Sequence, residues 1–212
     1  MKQIKKGMQP ASLIRHCSQP SASYENYSEK AELRQALLEE QGYICCYCMG
    51  RISSDEKSRK MKIEHWASQS KYPSKQLDYG NLLGACLGNE GARPKKQHCD
   101  TRKGDHDIQI NPADKTKSCE QLIRYRSSGE LYSDNPDIDQ DINETLNLNI
   151  AALTRARSDA LLTVVEKLNQ AFPRKTWPSA AIRRELDQIE SLHCGRYLPF
   201  CQYVATYLRR RL

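Results

Sequence analysis

Nine cysteines occur in the 212-residue chain, and five of them fall between positions 45 and 99. That clustering limits the fold more than any other feature. An odd count leaves one thiol over if all the others pair. The start, Met1 to Gly7, is basic with no apolar segment behind it, so no secretory signal is expected. The expected compartment is therefore the reducing cytoplasm, where clustered cysteines more often bind metal than form disulfides. No run approaches the ~20 apolar residues of a membrane span, so no membrane partner is expected. A hydrophobic share of 38% with 28% charged residues is too apolar for a disordered chain. The net charge of +7 favours an acidic partner, of which nucleic acid is the commonest.

Residues 1–27 carry Pro10, Pro20 and a serine-rich stretch with little periodicity, and read as an extended basic arm. A core region is expected over 28–140. It opens with a helix from Ser28 to about Gln41, capped by Ser28, with Leu33, Leu37 and Leu38 on one face and Gly42 as the stop. Leu122–Arg126 and Glu130–Tyr132 flank Ser127-Ser128-Gly129 and predict a hairpin. Residues 130–144 hold six acidic residues and no basic one, which reads as a solvated loop. Residues 141–212 are expected to be helical. Ile150, Leu153, Leu161, Val164, Val165 and Leu168 mark one long amphipathic helix. Two more follow, over Ala180 to about His193 and from Pro199 to Leu212. The terminal Arg209-Arg210-Arg211 is read as complementing a helix dipole.

Cys45 and Cys48 form a C-x-x-C pair with Gly50 just beyond, a spacing that turns two sulfurs toward one tetrahedral ion. No βαβ context favours a redox pair. Cys86 and Cys99 are separated by twelve residues that include two glycines and a proline, so the insert can loop out. Four thiolates from Cys45, Cys48, Cys86 and Cys99 complete a structural zinc site, in which His98 or Cys46 can replace one ligand. Cys17, Cys119, Cys194 and Cys201 have no partner at ligand spacing and read as small hydrophobes.

Between the two halves lies Ile63-Glu64-His65-Trp66. A carboxylate followed by a histidine at the end of an apolar strand suits nucleic-acid hydrolysis. Glu64 supplies a hard oxygen ligand for magnesium or manganese, and His65 a general base available near neutral pH. Trp66 is read as packing. Arg93, Lys95, Lys96, Arg102 and Lys103 bracket the segment at Cys99, where phosphate contact by Arg102 and Lys103 is expected. Asp105-His106-Asp107 reads as surface loop.

Cys45-x-x-Cys48, Glu64-His65, Asn81-Leu82-Leu83, Cys86 and Cys99-Asp100-x-x-Lys103 together resemble the zinc-bearing branch of the HNH endonucleases. The resemblance implies an α+β fold. Its centre is a ββα-metal, treble-clef-like nuclease core stapled by zinc, with a helical C-terminal region behind it. It makes His65 the base, Asn81 the residue that fixes the loop and orients that base, and Glu64 and Asp100 the ligands of the catalytic cation. Asp100 stands where most members have His or Asn. The order of motifs, ending in Thr145-Leu146-Asn147-Leu148-Asn149, is similar to the HNH subunit of Septu-type anti-phage systems, also found with retrons. This implies a defence nuclease acting on DNA or RNA with an ABC-type ATPase subunit, and in retrons with a reverse transcriptase and its DNA–RNA product. The rival from the residues alone is a zinc-stabilised nucleic-acid-binding or scaffold module without catalysis.

Overall fold

Gly42 ends the first long helix for a steric reason. Its φ is +57°, and a side chain there would meet the Tyr197 ring at 2.4 Å. The computed structural model describes residues 1–54, 60–174 and 176–212. Its helices and strands run in the order α1 (Ala11–Cys17), α2 (Lys30–Glu40), β1 (Lys62–His65), β2 (Leu82–Ala85), α3 (Cys99–Lys103), α4 (Cys119–Leu122), β3 (Arg124–Tyr125), β4 (Leu131–Tyr132), α5 (Pro136–Gln140), α6 (Ala151–Ala171), α7 (Ser179–Glu190) and α8 (Cys201–Arg209). The protein is mixed α and β with two small sheets.

β1 and β2 are antiparallel, with Lys62 opposite Ala85 and His65 opposite Leu82. Every residue of β2 is buried. Gln41, just past α2, clamps this strand to the cysteine turn. Its amide nitrogen donates to the carbonyls of Ile44 (2.9 Å) and Gly84 (2.8 Å), and its oxygen accepts from the Gly84 N–H at 2.6 Å. The Cys46 N–H also donates to the Gly84 carbonyl, at 3.0 Å. The residues before β1 and after β2 are thereby held side by side.

Residues 1–27 correct the expectation of an extended arm. They carry α1 and pack into the fold. Met1 is fully buried, and its ammonium donates to the Tyr125 hydroxyl at 2.9 Å. Lys6 pairs with Glu40 at 2.7 Å and sits over the Tyr79 ring at 3.8 Å. Leu13 and Tyr27 pack with Leu33, Leu37 and Leu82. These contacts are long-range, so no local periodicity announces them.

The acidic stretch is also more ordered than a solvated loop. Asn135 caps α5 by accepting from the N–H groups of Asp137 and Ile138. A π-helical turn follows over Asp141–Thr145, with Ile138 and Ile142 turned into the core. Asp141 is buried and accepts from the Gln109 N–H at 2.6 Å.

The hairpin forms as β3 and β4, with Tyr125 opposite Leu131. The three C-terminal helices fall where periodicity puts them, and α7 and α6 both pack on α8. Arg157 of α6 is fully buried. Its guanidinium donates to the carbonyls of Gly129 (2.7 Å) and Leu148 (2.6 Å), tying the long helix to the hairpin. One buried cluster joins Met1, Cys45, Tyr125 and Leu208.

Candidate metal centre and active site

The cysteine turn is built from backbone geometry. Ile44 bridges Arg51, the Cys45 N–H donates to the Gly50 carbonyl at 2.9 Å, and Met49 takes a left-handed φ of 64°. The Gly50 N–H then points at the Cys48 sulfur, 3.3 Å away. Cys86 follows β2 directly, and its N–H lies 3.3 Å from the Cys45 sulfur. The insert after it closes on itself. The His98 N–H donates to the Gly88 carbonyl at 3.1 Å, and a side chain at Gly88 would come within 2.1 Å of the His98 oxygen. That closure brings Cys99, first residue of α3, back to the other three.

The Sγ atoms of Cys45, Cys48, Cys86 and Cys99 all lie within 4.8 Å of one another. Cys45 to Cys99 is 3.9 Å and Cys48 to Cys86 is 3.8 Å. A tetrahedron with metal–sulfur bonds of about 2.3 Å has edges of about 3.8 Å. The donor set and its spacing thus fit zinc. Among the described residues this is the one such group of metal-ligating side chains. His98 flanks it, with Nδ1 3.1 Å from the Cys99 sulfur. Cys46, although buried next to Cys45, is not among the four cysteines whose sulfurs converge. The four sulfurs converge without help from either residue.

Glu64 and His65 close β1, and Asp100 follows Cys99 on α3. Glu64 is 3% exposed. Its carboxylate accepts from the Tyr47 hydroxyl at 2.7 Å and pairs with Lys103 at 2.9 Å. Burial and the neighbouring Asp100 carboxyl push Glu64 well above the usual carboxylate range. Asp100 is more open and faces Lys62 at 3.4 Å. The two carboxylates are thus neighbours, and hard oxygen donors of this kind can hold a divalent cation.

His65 is half-buried. Its Nε2 lies 3.0 Å from the Gln76 carbonyl, a contact that only the Nε2–H tautomer satisfies, so Nδ1 is left as the basic nitrogen. The Tyr24 ring stands edge-on to it, 4.5 Å between centroids. Burial lowers the His65 pKa below its ordinary value, which favours the neutral ring. Asn81 holds the connection between β1 and β2. Its side chain donates to the carbonyls of Ala67 (3.0 Å) and Lys75 (3.1 Å) and accepts from the Ala67 N–H at 2.8 Å. Lys75 precedes Gln76, so Asn81 acts on His65 through this loop.

Lys103 departs from the phosphate-contact expectation. It is 1% exposed and spends its ammonium on Glu64 and on the His65 carbonyl at 3.2 Å. On a helix of one and a half turns, the residue four beyond Cys99 shares its buried face. Arg102 is exposed, and its guanidinium donates to the Glu144 carbonyl at 3.2 Å. Arg93, Lys95 and Lys96 are exposed beside it. Trp66 donates to the Ile110 carbonyl at 3.0 Å and packs on the core. Asp107 is exposed and pairs with Lys71. Two contributors escaped the sequence reading, Tyr47 and Lys62. Lys62 stands two residues before Glu64 on one strand, the spacing of a shared face.

Together these features define a protein with a four-cysteine cluster, fit for zinc, at one end of a strand–strand–helix unit that carries paired carboxylates and a histidine. No family model matches the chain. Over 83 residues it is 32% identical to the Septu protein PtuB of Bacillus thuringiensis. That stretch is 39% of this chain and 28% of the relative, so the similarity spans under a third of the curated protein. Among the described residues, no helix is long and apolar enough to cross a membrane.

Proposed function

We propose that this chain is a metal-dependent HNH-type endonuclease of an anti-phage defence system, hydrolysing phosphodiester bonds in nucleic acid. The observation that carries the reading is the backbone-anchored His65 next to Glu64 on β1, with Asp100 of α3 close to that carboxylate. The succession β1, β2, α3 is what a ββα-metal core requires, and the similarity to PtuB supports the defence context.

In this mechanism His65 Nδ1 takes a proton from the attacking water. The Nε2–H bond to Gln76 holds the ring while it becomes charged. Asn81 positions the loop that carries Gln76. Asp100 would be the principal ligand for magnesium or manganese, because it is the more open carboxylate, and Glu64 would be the second. When bound, the cation would stabilise the developing charge on the phosphate. Arg102, with Arg93, Lys95 and Lys96, receives the flanking phosphates. Zinc on the four cysteines would hold the scaffold. By the resemblance of its motifs to the Septu-type HNH subunit, an ATPase subunit is the expected partner, and retron reverse transcriptase with its DNA–RNA product a further one.

A second reading, a nucleic-acid-binding module without catalysis, is favoured by one observation: Lys103 already compensates Glu64 at 2.9 Å. Cleavage separates the two. Purified protein, with and without a neighbouring ATPase, is incubated with DNA, total RNA and magnesium, and the cut ends are sequenced. Defined ends that disappear in EDTA support the nuclease. Binding with no cleavage under any of these conditions leaves the module.

A further inference from the structure

The arginine run at the end of α8 lies outside the site described above. α8 ends at Arg209, which pairs with Glu190. Arg210 and Arg211 follow it, exposed, and among the described residues neither makes an ion pair with a carboxylate. Complementing the helix dipole does not account for what surrounds them.

Two grooves meet at this point and share Tyr207 and Arg211. One, of about 450 Å³, is lined by Val165, Asn169, Trp177 and Ile182 as well as that pair. The other, of about 180 Å³, adds Arg126, Tyr203 and Arg210. Among the described residues, no carboxylate lines either groove. The Arg211 guanidinium lies 3.5 Å from the Tyr207 ring centroid and 5.7 Å from that of Trp177. The Trp177 indole N–H donates to Asn169 at 3.1 Å, so the ring is held in place while remaining half-exposed. Arg126 sits 4.7 Å over Tyr132, with only a 4.0 Å approach to Glu130.

We infer that these grooves form a binding site for single-stranded nucleic acid, with bases stacking on Tyr207 and Trp177 and phosphates held by Arg126, Arg210 and Arg211. A held Trp177 face and the Tyr207 ring, interleaved with Arg210 and Arg211, which pair with no carboxylate among the described residues, and with Arg126, whose Glu130 partner is 4.0 Å away, are what a strand of bases and phosphates requires. An acidic peptide would use the charges but not the aromatic faces. The site shares no residue with the cysteine cluster or with Glu64, His65 and Asp100. It stands whether or not those residues cleave, and it would anchor a strand rather than cut it.

The test uses the zinc-loaded 212-residue chain carrying His65→Ala, which keeps the probe intact, without added magnesium. Binding of a fluorescein-labelled oligothymidylate is followed by anisotropy across a salt series. Adding Arg210→Gln and Arg211→Gln together should weaken binding by about tenfold or more and flatten the log–log salt slope by about 1.4. A Trp66→Phe background leaves Trp177 as the one tryptophan. Its fluorescence should be quenched by oligothymidylate and not by polyglutamate, a readout that needs no change in the groove itself. Unchanged affinity and slope in the double arginine variant, an unquenched Trp177, or equal binding of polyglutamate would each overturn the assignment.

Discussion

Cys99 and Asp100 are neighbours on α3, yet they belong to centres of opposite design. The thiol of Cys99 is buried among three others at near-tetrahedral spacing, with backbone N–H groups turned toward the sulfurs. Asp100 is partly exposed and paired with Lys62, beside the buried Glu64 carboxylate, which is paired with Lys103. A closed set of soft ligands suits a structural staple, whereas in the proposed function the partly exposed hard carboxylate would meet the catalytic cation. One short helix can serve both because its first turn closes the staple and so fixes the direction of its next residue. The staple is needed because the strands beside it are only four residues long.

If the thiolate centre is purely structural, breaking it should have the largest effect on the whole fold. Cys48→Ser, or removal of zinc by a strong chelator, should lower the thermal midpoint by about 10 °C or more, or abolish folding, as read by circular dichroism. A variant that loses its metal but keeps its midpoint would break the contrast. Next comes the buried Lys103–Glu64 pair. Lys103→Met leaves a buried carboxylate without its counter-charge and should cost about 3–5 kcal/mol in denaturant unfolding. Changing the exposed Arg102 to Gln should cost under about 0.5 kcal/mol and weaken nucleic-acid binding instead. Asn81→Ala should cost about 1–3 kcal/mol, because two carbonyls and one N–H lose their partner. Its cleavage should fall further than its stability accounts for, since Gln76 no longer holds His65 firmly.

The smallest effect concerns acid. A histidine whose pKa is lowered by burial is neutral, and therefore basic, at pH 7. Cleavage should be flat through neutrality and fall as pH drops through a midpoint below 6.5, the ordinary histidine value. A midpoint above it would mean that the base is not His65 in this environment.

Much of this contrast was legible in the chain. The Cys45–Cys48 pair, the strand ending in Glu64-His65 and the later helices follow from spacing and periodicity, which are local properties, whereas Cys86 and Cys99 are joined only by the closure of the insert between them. The N-terminal segment was not legible, because Met1 and Lys6 are fixed by Tyr125 and Glu40, residues that no nearby pattern ties to them. The acidic run hid its order because its charges masked Ile138 and Ile142 at a helical spacing of four. Lys103 was misread for a similar reason. A lysine beside arginines looks solvated until the helix it sits on is known to turn that position onto Glu64.

The central claim is that chemistry resides at His65 and the staple at the cysteines, each separable from the other. The direct measurement is cleavage by His65→Ala beside the unaltered protein in magnesium, with zinc content and thermal midpoint measured on the same samples. The account predicts a loss of cleavage on the order of a hundredfold or more, with zinc and midpoint unchanged. Cleavage that survives in His65→Ala would contradict it, as would a loss of cleavage that comes only with loss of zinc.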